Sequence, residues 1–113
     1  MAKDNETQML KGILQGCMLI LLDNHELYGY AIGEALVKYG FEDVPKGTIY
    51  PLLMTMEKKG LLKSRMKPSP DGPQRKYYTL TADGRIAKQA FIEHWHSLAQ
   101  SVERLVREND NES

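Results

Sequence analysis

The stretch Lys46–Thr81, KGTIYPLLMTMEKKGLLKSRMKPSPDGPQRKYYTLT, places a helix, a hairpin and a helix cap in unbroken succession. Over residues 46–59 the side chains Ile49, Leu52, Leu53 and Met56 recur at helical spacing and face inward, and Gly60 is a natural stop. A proline inside a helix removes a backbone hydrogen bond, so Pro51 fits best if the helix starts at Gly47 or Thr48, leaving it near the first turn. Leu61–Lys67 and Gln74–Leu80 then flank Pro68-Ser69-Pro70-Asp71-Gly72-Pro73, a dense run of turn formers. A β-hairpin with a stiff tip is the simplest assignment. In its second strand, alternation sets Lys76, Tyr78 and Leu80 on one face and Arg75, Tyr77 and Thr79 on the other.

Outward from this stretch both flanks are helical. Thr81 is placed to cap a long last helix, with Asp83 in its first turn. Its apolar residues Phe91, Trp95, Leu98, Val102 and Leu105 step by four, three, four and three, a heptad-type seam about two repeats long. A helix over 82–108 would reach about 40 Å, more than the preceding residues can cover. The polar tail after Asn109 is expected to fray. Towards the N-terminus, Met9, Leu10, Ile13, Leu14, Cys17, Met18, Leu21 and Leu22 form a first helical stripe. A second helix is expected over 27–39, with Tyr28, Ile32, Ala35, Leu36 and Tyr39 on one side and Gly40 as its stop. Gly12 and Gly16 lie one turn apart on the first helix, at a cost of about 1 kcal/mol each. Either they are tolerated or something packs closely on that face.

With 113 residues, 42% apolar and 27% charged, the chain is expected to form one ordinary globular unit. Its longest apolar run, Cys17–Leu22, is far short of the roughly 20 residues that span a membrane. No secretory pattern opens the chain, and its single cysteine fits a reducing compartment, so a cytoplasmic location is expected. The formal net charge is zero, but it is unevenly distributed. Residues 46–81 hold Lys46, Lys58, Lys59, Lys63, Arg65, Lys67, Arg75 and Lys76 against only Glu57 and Asp71, whereas both flanks are net acidic.

Three helices, a hairpin and a long helix, with the basic charge on the third helix and the hairpin, is the layout of a winged helix-turn-helix. The fold class is mainly α with a small β-hairpin. A headpiece over residues 1–81 would bind DNA, and residues 82–113 would supply one C-terminal dimerisation helix and its tail. At 100° per residue, Gly47, Pro51, Met54 and Lys58 lie opposite the core stripe of the third helix, with Thr48, Tyr50 and Thr55 on its flanks. Pro51 and Met54 suit thymine methyls, and the hydroxyls suit bases or phosphates. Equally, Tyr50 could pack into the headpiece and Thr48 cap the helix. Lys46, Lys58, Lys67, Arg75 and Lys76 are candidate phosphate contacts, while Lys63 and Arg65 are as well explained as strand cover.

Specific words of the sequence point the same way. Leu27-Tyr28-Gly29-Tyr30-Ala31-Ile32 is followed by Gly47-Thr48-Ile49-Tyr50-Pro51-Leu52-Leu53, with Glu57 and Gly60-Leu61-Leu62 behind it. Gly72-Pro73-Gln74-Arg75-Lys76-Tyr77-Tyr78-Thr79-Leu80-Thr81 and Gly84 complete the set. In order and spacing these closely resemble the PadR-like family of transcriptional regulators, in its shorter branch with a single C-terminal helix. The resemblance implies a homodimeric repressor whose DNA binding is relieved by a small molecule, and dimer symmetry then calls for a palindromic operator.

Phe91, Leu98, Val102 and Leu105 are the candidate dimer contacts. Trp95, on the same seam, has two readings: an interface anchor, or a platform on which a planar hydrophobic effector stacks, with Gly12 and Gly16 leaving room opposite. No phosphate-binding loop, nucleophile elbow or Cys–His metal spacing is present, and His94 and His96 point about 200° apart on their helix. Neither an enzyme nor a metal or cofactor site is therefore expected. The alternative is a winged-helix module that binds protein and no DNA; concentrated basic charge argues against it.

Overall fold

A computed structural model describes residues 2–42 and 44–110, the side chains of residues 2–8 and of Lys11 excepted. Along the chain run α1 (Ala2–Asn24), β1 (Leu27–Tyr28), α2 (Gly29–Lys38), α3 (Lys46–Lys58), β2 (Leu62–Pro68), β3 (Gln74–Leu80) and α4 (Ala82–Asp110). Residues 111–113, part of the tail expected to fray, lie outside the described residues. None of the described helices is long and apolar enough to cross a membrane.

β2 and β3 form the expected hairpin, in register from Leu62↔Leu80 to Pro68↔Gln74. Its tip closes through the Ser69 N–H to the Pro73 carbonyl and the Gly72 N–H to the Ser69 carbonyl, both 2.9 Å. β1 departs from expectation. Leu27 and Tyr28 do not open the second helix but pair antiparallel with Tyr78 and Tyr77, so β3 is the central strand of three. Two residues are too few for alternation to register in a sequence, and they become a strand because β3 otherwise has an unpaired edge.

The core joins Leu14, Met18, Leu19 and Leu22 of α1, Ile32 and Leu36 of α2, Ile49, Leu53 and Met56 of α3, and Leu62, Tyr78 and Leu80 of the sheet. Leu19, off the expected stripe, is buried because α1 is packed by α2, by β3 and by α4. Conversely Met9 and Tyr39 are largely exposed and Leu52 only half buried. Tyr39 is the C-cap of α2, already past the helix face it was expected to occupy. The second face of β3 is covered as well. Tyr77 lies beneath Tyr28, ring centroids 5.1 Å apart in an edge arrangement, and beneath the Lys67 ammonium at 4.4 Å.

α3 begins at Lys46, one to two residues before the start that would have suited Pro51, so the proline stands in the second turn. Its ring leaves the Gly47 carbonyl without a helical donor, and Gly47 is exposed, so water can supply one. Thr55 Oγ1 donates to the Pro51 carbonyl at 3.0 Å.

Thr81 caps α4 as its position implied, its Oγ1 accepting the Gly84 N–H at 3.0 Å and donating to the Gly60 carbonyl at 2.6 Å. The first half of α4 is docked on the headpiece. Gly84 is buried directly against the Leu61 carbonyl, Asp23 pairs with Lys88 and with Arg85, and the Phe91 ring fills the space at Gly16. Beyond that level the seam is open.

A Cβ at residue 84 would overlap the Leu61 carbonyl oxygen, and backbone cannot step aside as a side chain can. Gly84→Ala should therefore destabilise the fold by about 3 kcal/mol, the upper end of overpacking costs, read as a lower urea midpoint.

Candidate nucleic-acid interface

Because Ile49, Leu53 and Met56 are sunk in the core, α3 must turn its opposite side outward. Gly47, Pro51, Met54 and Lys58 are all exposed there. Thr48 and Thr55 occupy the flank beside α1, where a shallow groove joins them to Leu14, Pro51 and Leu52. The cap of α3 is Pro45, with no side-chain hydrogen bond, so Thr48 does not cap the helix; its N–H donates to the Pro45 carbonyl at 2.9 Å. Tyr50 lies on the other flank. Its ring stands on Gly29, where any Cβ would overlap it, and it is still 40% exposed. It packs on the headpiece and keeps an accessible edge. Lys46 stacks over the Tyr30 ring at 4.7 Å, which joins the first residues of α2 and α3 into one cationic and aromatic rim.

The wing's cations are less free than a tally of the sequence implies. Lys76 pairs with Glu57 of α3 at 3.1 Å, and Ser64 Oγ donates to the same carboxylate at 2.6 Å. These contacts hold Glu57 below the usual carboxylate range, the Ser64 hydrogen bond most of all, and raise Lys76. Lys67 and Arg65 both bind Glu26, at 2.8 Å and 2.7 Å. Arg75 lies 5.2 Å over the Tyr28 ring and 3.7 Å from Asp71, and its buried Nε has no hydrogen-bond partner. Lys58, Lys59 and Lys63 have no acidic partner among the described residues.

Glu26 and Glu57 are the carboxylates of this surface whose partners spacing did not reveal. For Glu57 a signal existed: it is one of only two acids in the basic stretch, and both pair with the wing. For Glu26 there was none, since its partners lie 39 and 41 residues away.

The seam of α4 is divided. Phe91 is half buried against Gly16 of its own chain and so is not part of a free dimer surface. For the same reason Gly16 leaves no space for a ligand. Gly12, one turn earlier, is different: among the described residues nothing lies within 4 Å of where its Cβ would stand. Trp95, Leu98, Val102 and Leu105 are from 45% to 65% exposed, with Val106 beside them.

A helix-turn-helix with an exposed reading face and a basic, aromatic β-hairpin beside it defines a winged-helix DNA-binding protein. The family model of the transcriptional regulator PadR-like family matches residues 18–90, and the chain belongs to that family. Solved structures agree. A PadR-like transcriptional regulator from Bacillus cereus is 41% identical, covering 88% of this chain and 96% of that one, with a TM-score of 0.80. A Streptococcus transcriptional regulator is 43% identical over 87% of this chain and 96% of that one, with a TM-score of 0.79. A PadR family regulator from Eggerthella lenta, 28% identical, covers 93% of this chain and 91% of that one at a TM-score of 0.81. The chain is a DNA-binding transcriptional regulator and not an enzyme.

Hydrogen bonds from Arg65 and Lys67 lower Glu26 from 4.5 to about 2. A depressed carboxylate stabilises the fold above its unfolded value and loses that contribution as pH falls towards its folded one. The stability difference between wild type and Glu26→Gln should therefore be constant above about pH 5, shrink from pH 4.5 downward and vanish near pH 2 in denaturation series.

Proposed function

We propose that this regulator is a homodimeric repressor, bound to a palindromic operator in the cytoplasm and released by a small planar hydrophobic effector. The observation that carries the reading is the apolar seam of α4, which projects past the headpiece with Leu98, Val102 and Leu105 about half to two-thirds exposed. A second copy of the same seam would bury it isologously, and two-fold symmetry would present two α3 helices to half-sites about one helical turn apart or a multiple of it. On this reading residues 1–81 bind DNA and residues 82–113 dimerise.

Within each half-site, Gly47, Pro51 and Met54 would face bases, with Thr48, Tyr50 and Thr55 at the edges of the groove. Lys46, Lys58 and Arg75 would meet phosphates. Lys67 and Lys76 could do so only in exchange for Glu26 and Glu57. The effector would lie at Trp95. α1 and α4 run antiparallel, since Asp23 meets Lys88 and Gly16 meets Phe91, so Gly12 and Trp95 fall at the next level. The open space at Gly12 and the half-exposed indole support a gap there, duplicated across the dimer axis. A ligand that favours the wrong spacing of the two reading helices would release DNA through its differential affinity.

Leu98→Glu or Val102→Glu would place an unpaired charge in the interface, at a cost of several kcal/mol. Both variants should be monomeric in light scattering and lose operator binding in gel shifts. A wild-type chain that stays monomeric at micromolar concentration would overturn the dimer.

The single tryptophan reports on the effector site directly. Planar aromatic compounds should quench it saturably, and Trp95→Ala should abolish their binding while keeping the dimer and its DNA affinity. A Trp95→Ala chain that dissociates would make the residue an interface anchor instead.

A further inference from the structure

Glu26 lies in the turn between α1 and β1, outside the basic stretch, yet both of its carboxylate oxygens are spent on the wing. Oε2 accepts from Arg65 Nε at 2.7 Å, and Oε1 accepts from Arg65 Nη2 at 2.9 Å and from Lys67 Nζ at 2.8 Å. The arrangement is layered. The Glu26 side chain is 21% exposed, whereas those of Arg65 and Lys67 are 68% and 37% exposed. Two cations within reach of solvent are thus held from beneath by a carboxylate that occupies the place a phosphate would take.

Ion pairs whose cations stay open to solvent add only modestly to stability, and the wing is also tied to the headpiece by the β1–β3 pairing and the Tyr28–Tyr77 contact. What the clamp changes is the charge available to DNA. Register places Arg65 opposite Tyr77, on the sheet face turned away from Tyr78 and the core that α3 joins. DNA read by α3 would reach that face only near the hairpin tip, where Arg75 and Lys67 are paired, whereas DNA met in another orientation could lie along it and meet Arg65 as well. Binding of that second kind is almost wholly electrostatic, each neutralised phosphate adding about 0.9 to the slope of log affinity against log salt.

Resting on the DNA-binding reading above, we propose that Glu26 is a specificity-determining residue, which withholds Arg65 and Lys67 from the phosphate backbone and so suppresses binding to unrelated sequences.

The test is a salt series of fluorescence anisotropy on a random-sequence duplex. Arg75→Ala should lower the wild-type slope by about one, and Lys76→Ala, whose ammonium is held by Glu57, by less; this checks the wing as a DNA contact. Glu26→Gln should steepen the slope by about one to two and tighten binding several-fold at about 50 mM salt. Arg65→Gln should return about one of that gain in the Glu26→Gln background and change nothing in the wild-type background. An unchanged or shallower slope in Glu26→Gln would overturn the proposal. A fall in slope on Arg65→Gln alone would do so too, because Arg65 would then already touch phosphate; this arm stands even if Glu26→Gln fails to fold. If the wild type binds no duplex and neither wing variant alters anything, the DNA-binding reading itself fails and takes the proposal with it.

Discussion

The outward face of α3 depends on the burial of three side chains. Ile49, Leu53 and Met56 of α3 are at most 1% exposed, and each contributes about 1.5–3 kcal/mol by leaving water. Together they fix the rotation of α3 about its axis. That rotation alone puts Gly47, Pro51, Met54 and Lys58 outside and leaves Tyr50 leaning on Gly29. A glycine and a proline in the first two turns would weaken an isolated helix of this length; packing of its apolar side holds it instead.

Electrostatics ties the remaining parts to that helix. Glu57 is part of α3, and by gripping Lys76 and Ser64 it fastens the hairpin to that helix. Asp23 and Glu26, three residues apart at the end of α1, do the same for other elements: Asp23 holds α4 through Lys88 and Arg85, and Glu26 holds the wing through Arg65 and Lys67. One short turn therefore touches both the projecting helix and the hairpin.

α4 has two environments. Up to Phe91 it is docked, with Gly84 on the Leu61 carbonyl and Phe91 on Gly16; from Trp95 onward it projects with its apolar side uncovered by the rest of the described chain. The same helix is thus core in its first half and surface in its second. An apolar surface of this kind, on a helix of 29 residues, is far more than scattered exposure accounts for.

Spacing alone determined the four helices, the hairpin with its register-setting tip, the Thr81 cap and the outward strip of α3, because each rests on a local period or on a turn chemistry carried within a few residues. The basic character of residues 46–81 was equally legible, and so was the seam on α4. Tertiary structure decided the rest. It turned Leu27 and Tyr28 into a strand, because only the folded chain brings them to the open edge of β3. It placed Phe91 in Gly16 and left Gly12 open, a distinction between two glycines that are alike in sequence and differ only in what packs across from them. It also set which charges remain free. Composition counts side chains one by one, whereas a carboxylate cancels a cation only within a few ångströms, and Glu26 and Arg65, 39 positions apart in sequence, close to 2.7 Å only when the chain folds.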